Sequence, residues 1–144
     1  MTLPELIAFA GRHPYLSLGL AGLTVALVFN ELSGLFRGYK GLQPAGLTAL
    51  VNRDNALVVD LRPAADFGKG HIPGAKNVQL SQFDPENKQL AVARALPVVL
   101  VCKTGQTAGG AARRLRKAGF EQVYVLDGGI GAWQQAGLPL AKGR

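Results

Sequence analysis

Three short runs, ALVVDLR (56–62), PVVLV (97–101) and EQVYVLDGG (121–129) with its apolar centre, constrain this chain more than any other feature. Each is too short for a stable helix and continuous rather than alternating. Such runs are strands buried on both faces, a property of parallel sheets covered by helices. Helical segments lie between them. Pro44 suits the first turn of a helix, with Leu47, Leu50 and Val51 on one buried face. Pro63 ends the first strand, and PAADF makes a short turn of helix. The Gly- and Pro-rich GKGHIPGAKNVQL returns into a strand near Asn77 to Leu80. A second helix is expected over Pro85 to Leu96 and a third over Thr107 to Ala118, the latter ended by Gly119 in a C-cap position. IGAWQQAG supplies a last short helix. This alternation predicts an α/β fold, an open parallel sheet with helices on both faces.

The first forty residues form a separate unit. PYLSLGLAGLTVALVF carries no charge over sixteen residues, roughly 24 Å of helix. Continued to Phe36 the helix covers roughly 34 Å, enough for a hydrocarbon core of about 30 Å. Eleven residues precede the first cation and no A-x-A site follows, so a cleaved signal peptide fits poorly. The choice lies between a buried core helix and a membrane anchor. A domain that looks complete without this segment favours the anchor. The reading is a short tail (1–13), a transmembrane helix (14–36), a linker (37–43), a domain over 44–140 and a tail (141–144). Arg37, Lys40 and Arg53 follow the span, and Arg12 precedes it. The positive-inside rule then places the large domain in the cytoplasm, on a single-pass protein of the inner (cell) membrane. The segment LPELIAFAGR before the span is expected to lie along the interface.

Charge narrows the partners. Of the formal net charge of +7, residues 41–144 hold thirteen Lys/Arg against seven Asp/Glu, or +6. Aromatic residues are not interleaved with these cations, so no base-stacking surface and no nucleic-acid partner is read. A solvated basic surface is the ordinary explanation, and a basic domain beside an anionic leaflet is electrostatically reasonable. The single cysteine forms no internal disulfide. One thiol with His13 and His71 far off in sequence makes no metal site, and no cofactor is implied.

That cysteine, Cys102, stands at the carboxyl end of a buried strand, the edge at which open α/β sheets place their sites. The next residues, Lys103, Thr104, Gly105, Gln106 and Thr107, are polar and lead into a helix. Helix-initial amides lack intrahelical acceptors. A loop curled round Cys102 would aim several N–H groups at the sulfur, stabilising negative charge there, with Lys103 adding a cation. The alternative is a buried, inert thiol. The polar loop and glycine favour reactivity. In GHIPG the imidazole of His71 is expected to bond to backbone in a tight turn rather than act as a general base. A phosphate cradle of the C-x5-R type is excluded, because Ala108 occupies the arginine position.

VVDLRPAADFGKGHIPGAKNV and VCKTGQTAGGAARRLRKAGFEQVYVLDGGIGAW resemble the two signatures of rhodanese domains, over about residues 42–140. With RHPYLS before an N-terminal span, the chain is similar to the membrane-anchored single-domain rhodaneses of bacteria. The resemblance implies that Cys102 carries a persulfide and that Cys102–Thr107 is the active-site loop, binding substrate through Lys103, Thr104, Gly105, Gln106 and Thr107. It implies that Asp60 and Arg62 are a supporting D-x-R element and that Gly70-His71-Ile72 is a structural turn. Gly128, Gly129 and Trp133 match its closing segment. Arg62 has two open roles, drawing in an anionic donor or pairing with Asp60. Thr107 stands where many members have Arg, so an anion meets less positive charge, while Thr107 is expected to cap the helix. Thr104 and Asp66 also depart from the common residues. The implied activity is sulfur transfer from a small donor such as thiosulfate to a thiol or cyanide. The rival is a non-enzymatic rhodanese-fold binding module for membrane-protein partners.

Overall fold

A computed structural model describes residues 1–143. The chain divides into two compact units, Met1–Arg37 and Gly38–Arg144.

The first unit is a pair of helices, α1 (Leu3–Arg12) and α2 (Pro14–Leu35). The Thr2 amide donates to the Glu5 carboxylate at 2.7 Å. With the Thr2 hydroxyl, this holds the Glu5 carboxyl below its usual range. His13 breaks the helix between them, and the Ser17 hydroxyl reaches back to the Ala10 carbonyl at 3.0 Å. α2 has 22 residues, its most apolar 18-residue stretch has a mean hydropathy of 1.5, and none of its side chains is buried. It is long and apolar enough to cross a membrane.

The second unit is a five-stranded, wholly parallel sheet in the order β1-β5-β4-β2-β3. Its elements are β1 (Lys40–Leu42), α3 (Pro44–Asp54), β2 (Leu57–Asp60), α4 (Ala64–Lys69), β3 (Lys76–Asn77), α5 (Lys88–Ala91), β4 (Val98–Val101), α6 (Gln106–Lys117), β5 (Val123–Leu126) and α7 (Gly129–Gln135). Side chains alternate between the faces. Val59, Val98, Leu100, Val123 and Val125 pack under α5 and α6, whereas Val58, Val99, Val101 and Leu126 pack under α3 and α7. Helices therefore cover both faces, as the apolar runs require.

Three segments differ from expectation. Residues 40–42, read as linker, form β1, which pairs only with β5 and so needs no long apolar run. The return strand is Lys76–Asn77, and Leu80–Gln82 is a 3-10 turn instead. The helix expected over 85–96 shrinks to α5, because Val92 is 80% exposed and of this stretch only Leu90 and Ala93 reach the core. α6 ends in a Schellman motif, with Phe120 N–H donating to the Leu115 carbonyl at 3.1 Å and Gly119 N–H to that of Arg116 at 3.2 Å. Gly119 takes φ 97°, and Leu115 and Phe120 share the same apolar cluster.

Candidate functional site

The connections place one site. From β2 the chain moves outward to the β3 edge. From β4 it moves the opposite way to β5. β2 and β4 are neighbours, with Asp60 paired to Val101. The carboxyl ends of such diverging strands leave a crevice, the ligand site of open α/β sheets. Asp60, Arg62 and Cys102 stand at or just past these two strand ends.

Cys102 is 4% exposed and belongs to the cluster beneath α6. Its sulfur is not surrounded by hydrocarbon alone. The Gly105 amide donates to Sγ at 2.9 Å. Where several converging amides are expected, this is the N–H that reaches the sulfur. The sequence specifies a tight loop but not the rotation of each peptide within it. Gly105 adopts φ 93° and is itself the N-cap of α6. The helix therefore starts at Gln106, and Thr107 lies inside its first turn rather than capping it. No side chain caps α6. Its first turn carries no acidic residue, so the helix dipole there is left to favour an anion. Lys103, Thr104, Gln106 and Thr107 are exposed, and Gly105 is half-buried.

A second backbone segment fixes the loop. Ile130 N–H donates to the Cys102 carbonyl at 2.9 Å. A Cβ on Gly129 (φ 60°) would collide with the Cys102 carbonyl oxygen and lie 2.7 Å from the Lys103 carbonyl carbon and oxygen. A Cβ on Gly105 would lie 3.2 Å from the Gly128 nitrogen. The paired glycines after β5 are thus a flat backbone surface against which the cysteine loop rests. Ile130 and Trp133 anchor that surface in the opposite core, and Trp133 Nε1–H donates to the Pro139 carbonyl at 2.9 Å. The Gly-Gly pair is visible in the sequence. Its contact with Cys102 is not.

Asp60 is fully buried and meets Arg62 in a two-pronged ion pair. Arg62 Nε is 3.0 Å from Oδ1 and Nη2 is 2.8 Å from Oδ2, and the Arg62 amide also donates to Oδ1 at 3.0 Å. Nη2 donates further to the Gly70 carbonyl at 2.8 Å. Of the two roles open to Arg62, this is the geometry of the ion-pair partner. Burial favours this pairing, since an unpaired carboxylate there would cost several kcal/mol, of order 3–5. Asn77, unremarkable in the sequence, donates to the carbonyls of Asp60 at 3.1 Å and Arg62 at 2.9 Å, tying β3 to the same turn.

His71 is 5% exposed and stacks on Phe67 with ring centroids 3.7 Å apart. Its Nδ1 lies 2.8 Å from the Phe67 carbonyl, which requires that nitrogen to carry the proton. Its backbone pairs in both directions with Ala141, at 2.9 and 2.8 Å. The imidazole is thus bonded to backbone within its turn, and its partners are Phe67 and Ala141 rather than Cys102.

The Rhodanese-like domain family matches residues 43–136. Over 141 residues the chain is 38% identical to the uncharacterized protein YibN of Escherichia coli strain K12, covering 97% of this chain and 99% of that one. The match runs through the N-terminal helices as well as the domain. Thiosulfate sulfurtransferase GlpE of Pseudoalteromonas translucida is 32% identical over 101 residues, 68% of this chain and 91% of GlpE. Among solved structures, a thiosulfate sulfurtransferase from Pseudomonas aeruginosa superposes with a TM-score of 0.65 at 31% identity, over 73% of this chain and 20% of that one. A rhodanese-related protein from Thermoplasma volcanium has the same fold, with a TM-score of 0.61 at 24% identity over 72% of this chain and 98% of that one.

Proposed function

Because the chain belongs to the rhodanese-like domain family, we propose that it is a membrane-anchored sulfurtransferase that carries sulfane sulfur on Cys102. The observation that carries this reading is the sulfur at the β4 carboxyl end, receiving the Gly105 amide at the mouth of an uncapped helix. A thiolate there attacks the outer sulfur of thiosulfate. The sulfur–sulfur bond of the donor breaks, and sulfite departs with its electron pair. Cys102 is left as an anionic persulfide. An acceptor thiolate or cyanide then attacks the terminal sulfur and restores the Cys102 thiolate. This is covalent catalysis in two half-reactions, with backbone dipoles stabilising the anion in each. Lys103, Thr104, Gln106 and Thr107 line the approach, and Lys103 supplies its positive charge. Asp60 and Arg62 hold the neighbouring strand end.

α2 anchors the domain as a single span of the inner (cell) membrane, and Arg37, Lys40 and Arg53 favour its cytoplasmic side. Intact-mass spectrometry of the full chain in detergent tests the chemistry. Thiosulfate treatment is expected to add the mass of one sulfur atom to wild type and nothing to Cys102→Ala. No adduct from any of several sulfur donors would favour the binding module. A C-terminal reporter that is active only in the periplasm would reverse the orientation.

A further inference from the structure

We infer that the carboxyl-terminal half of α6, with Lys40, is a docking face for anionic lipid headgroups, which points the Cys102 loop away from the bilayer. This rests on the reading of α2 as a membrane anchor. Chain connectivity supplies the first argument. α2 ends at Leu35 and β1 begins at Lys40, so four residues connect the span to the sheet.

The entry point is fixed within the domain. Tyr39 packs on the core, and a Cβ on Gly109 of α6 would lie 2.7 Å from its hydroxyl. A Cβ on Gly38 would lie 3.4 Å from Arg116 Cγ. The chain therefore enters the domain directly beside the last turn of α6.

That turn is cationic. Arg113, Arg114, Arg116, Lys117 and Lys40 are exposed, and none is in an ion pair among the described residues. Arg114 and Arg116 also donate to the carbonyls of Phe83 and Phe120, which holds two of these charges in place. The carbonyl end of the helix adds some negative potential, which the four cations offset. Near an anionic surface each Lys or Arg strengthens association about five-fold, within a Debye length of about 8 Å.

The consequence for the site is geometric. Cys102 lies at the opposite end of α6, whose twelve residues span about 18 Å. Docking by the basic end leaves the sulfur on the water-facing side, open to soluble donors and acceptors.

Amine-reactive footprinting of the full chain in nanodiscs, read by mass spectrometry, tests this. One set of discs is zwitterionic and the other contains about one-third phosphatidylglycerol. Lys117 is expected to label about five-fold more slowly on anionic discs and to recover in high salt. Lys76, exposed on the far edge strand about 19 Å across the sheet, should label equally on both. Arg113→Gln should weaken the protection of Lys117. Equal labelling of Lys117 on the two lipid mixtures, with the chain co-migrating with the discs, overturns the docking face and returns it to water or an acidic protein. A chain that fails to co-migrate with discs overturns the anchor itself, and the docking face with it.

Discussion

Gly129→Ala separates two costs that usually arrive together. At φ 60° an alanine pays for a left-handed backbone, about 1–2 kcal/mol. Its Cβ also meets the carbonyls of Cys102 and Lys103, backbone atoms that cannot swing aside. Forced overpacking of this kind costs about 1–3 kcal/mol. The sum, about 2–5 kcal/mol, is a large share of the roughly 5–15 kcal/mol that holds a domain folded. Gly137→Ala is the internal control. It sits at φ 70° with nothing within 4 Å of its Cβ position, so it carries the backbone cost alone. Urea unfolding should place Gly129→Ala about 1–3 kcal/mol below Gly137→Ala. The excess is localised strain on the cysteine loop, so it should also appear in the chemistry. Displacing the reacting sulfur by about 1 Å can slow the reaction on the order of 100-fold. Single-turnover sulfite release from thiosulfate measures this. Gly137→Ala should load sulfur at the wild-type rate, and Gly129→Ala far more slowly. If the two variants match in both stability and loading rate, the contact between the paired glycines and the cysteine loop does not bear on the site.

Other substitutions probe the surroundings. Asp60→Ala strands the Arg62 guanidinium and should lower stability by about 3–5 kcal/mol in urea unfolding. His71→Ala removes the buried stack on Phe67 and one of the two donors to the Phe67 carbonyl, which keeps the Gly70 N–H, and should cost about 1–3 kcal/mol. Its sulfur-loading rate should stay within about two-fold of wild type, since losing a general base would cost at least about 100-fold. Gly110→Ala lies in the middle of α6 with open space around its Cβ, and should raise stability by about 0.5–1 kcal/mol in the same assay. Leu115→Ala empties a fully buried position under the sheet and should cost about 2–5 kcal/mol.

Consecutive residues alone dictate the layers and the address of the cysteine. Continuous β-branched runs such as VVLV can be satisfied only by a strand covered on both faces, and a polar, glycine-bearing stretch after such a strand must turn at the sheet's edge. The uncharged length of α2 was equally legible, because hydropathy and span are properties of consecutive residues. What depended on distant partners was not. β1 exists because β5 offers hydrogen bonds to residues 40–42, and nothing in Lys-Gly-Leu announces a strand. Why Gly129 must lack a side chain was decided by chain segments meeting across the sheet, whereas which peptide faces Sγ and how Arg62 meets Asp60 were decided by backbone rotations within single turns. Apolar burial is roughly additive along the chain and can be read locally. Hydrogen bonds and close backbone contacts are pairwise and directional, so they exist only once the fold has brought both partners to the same place.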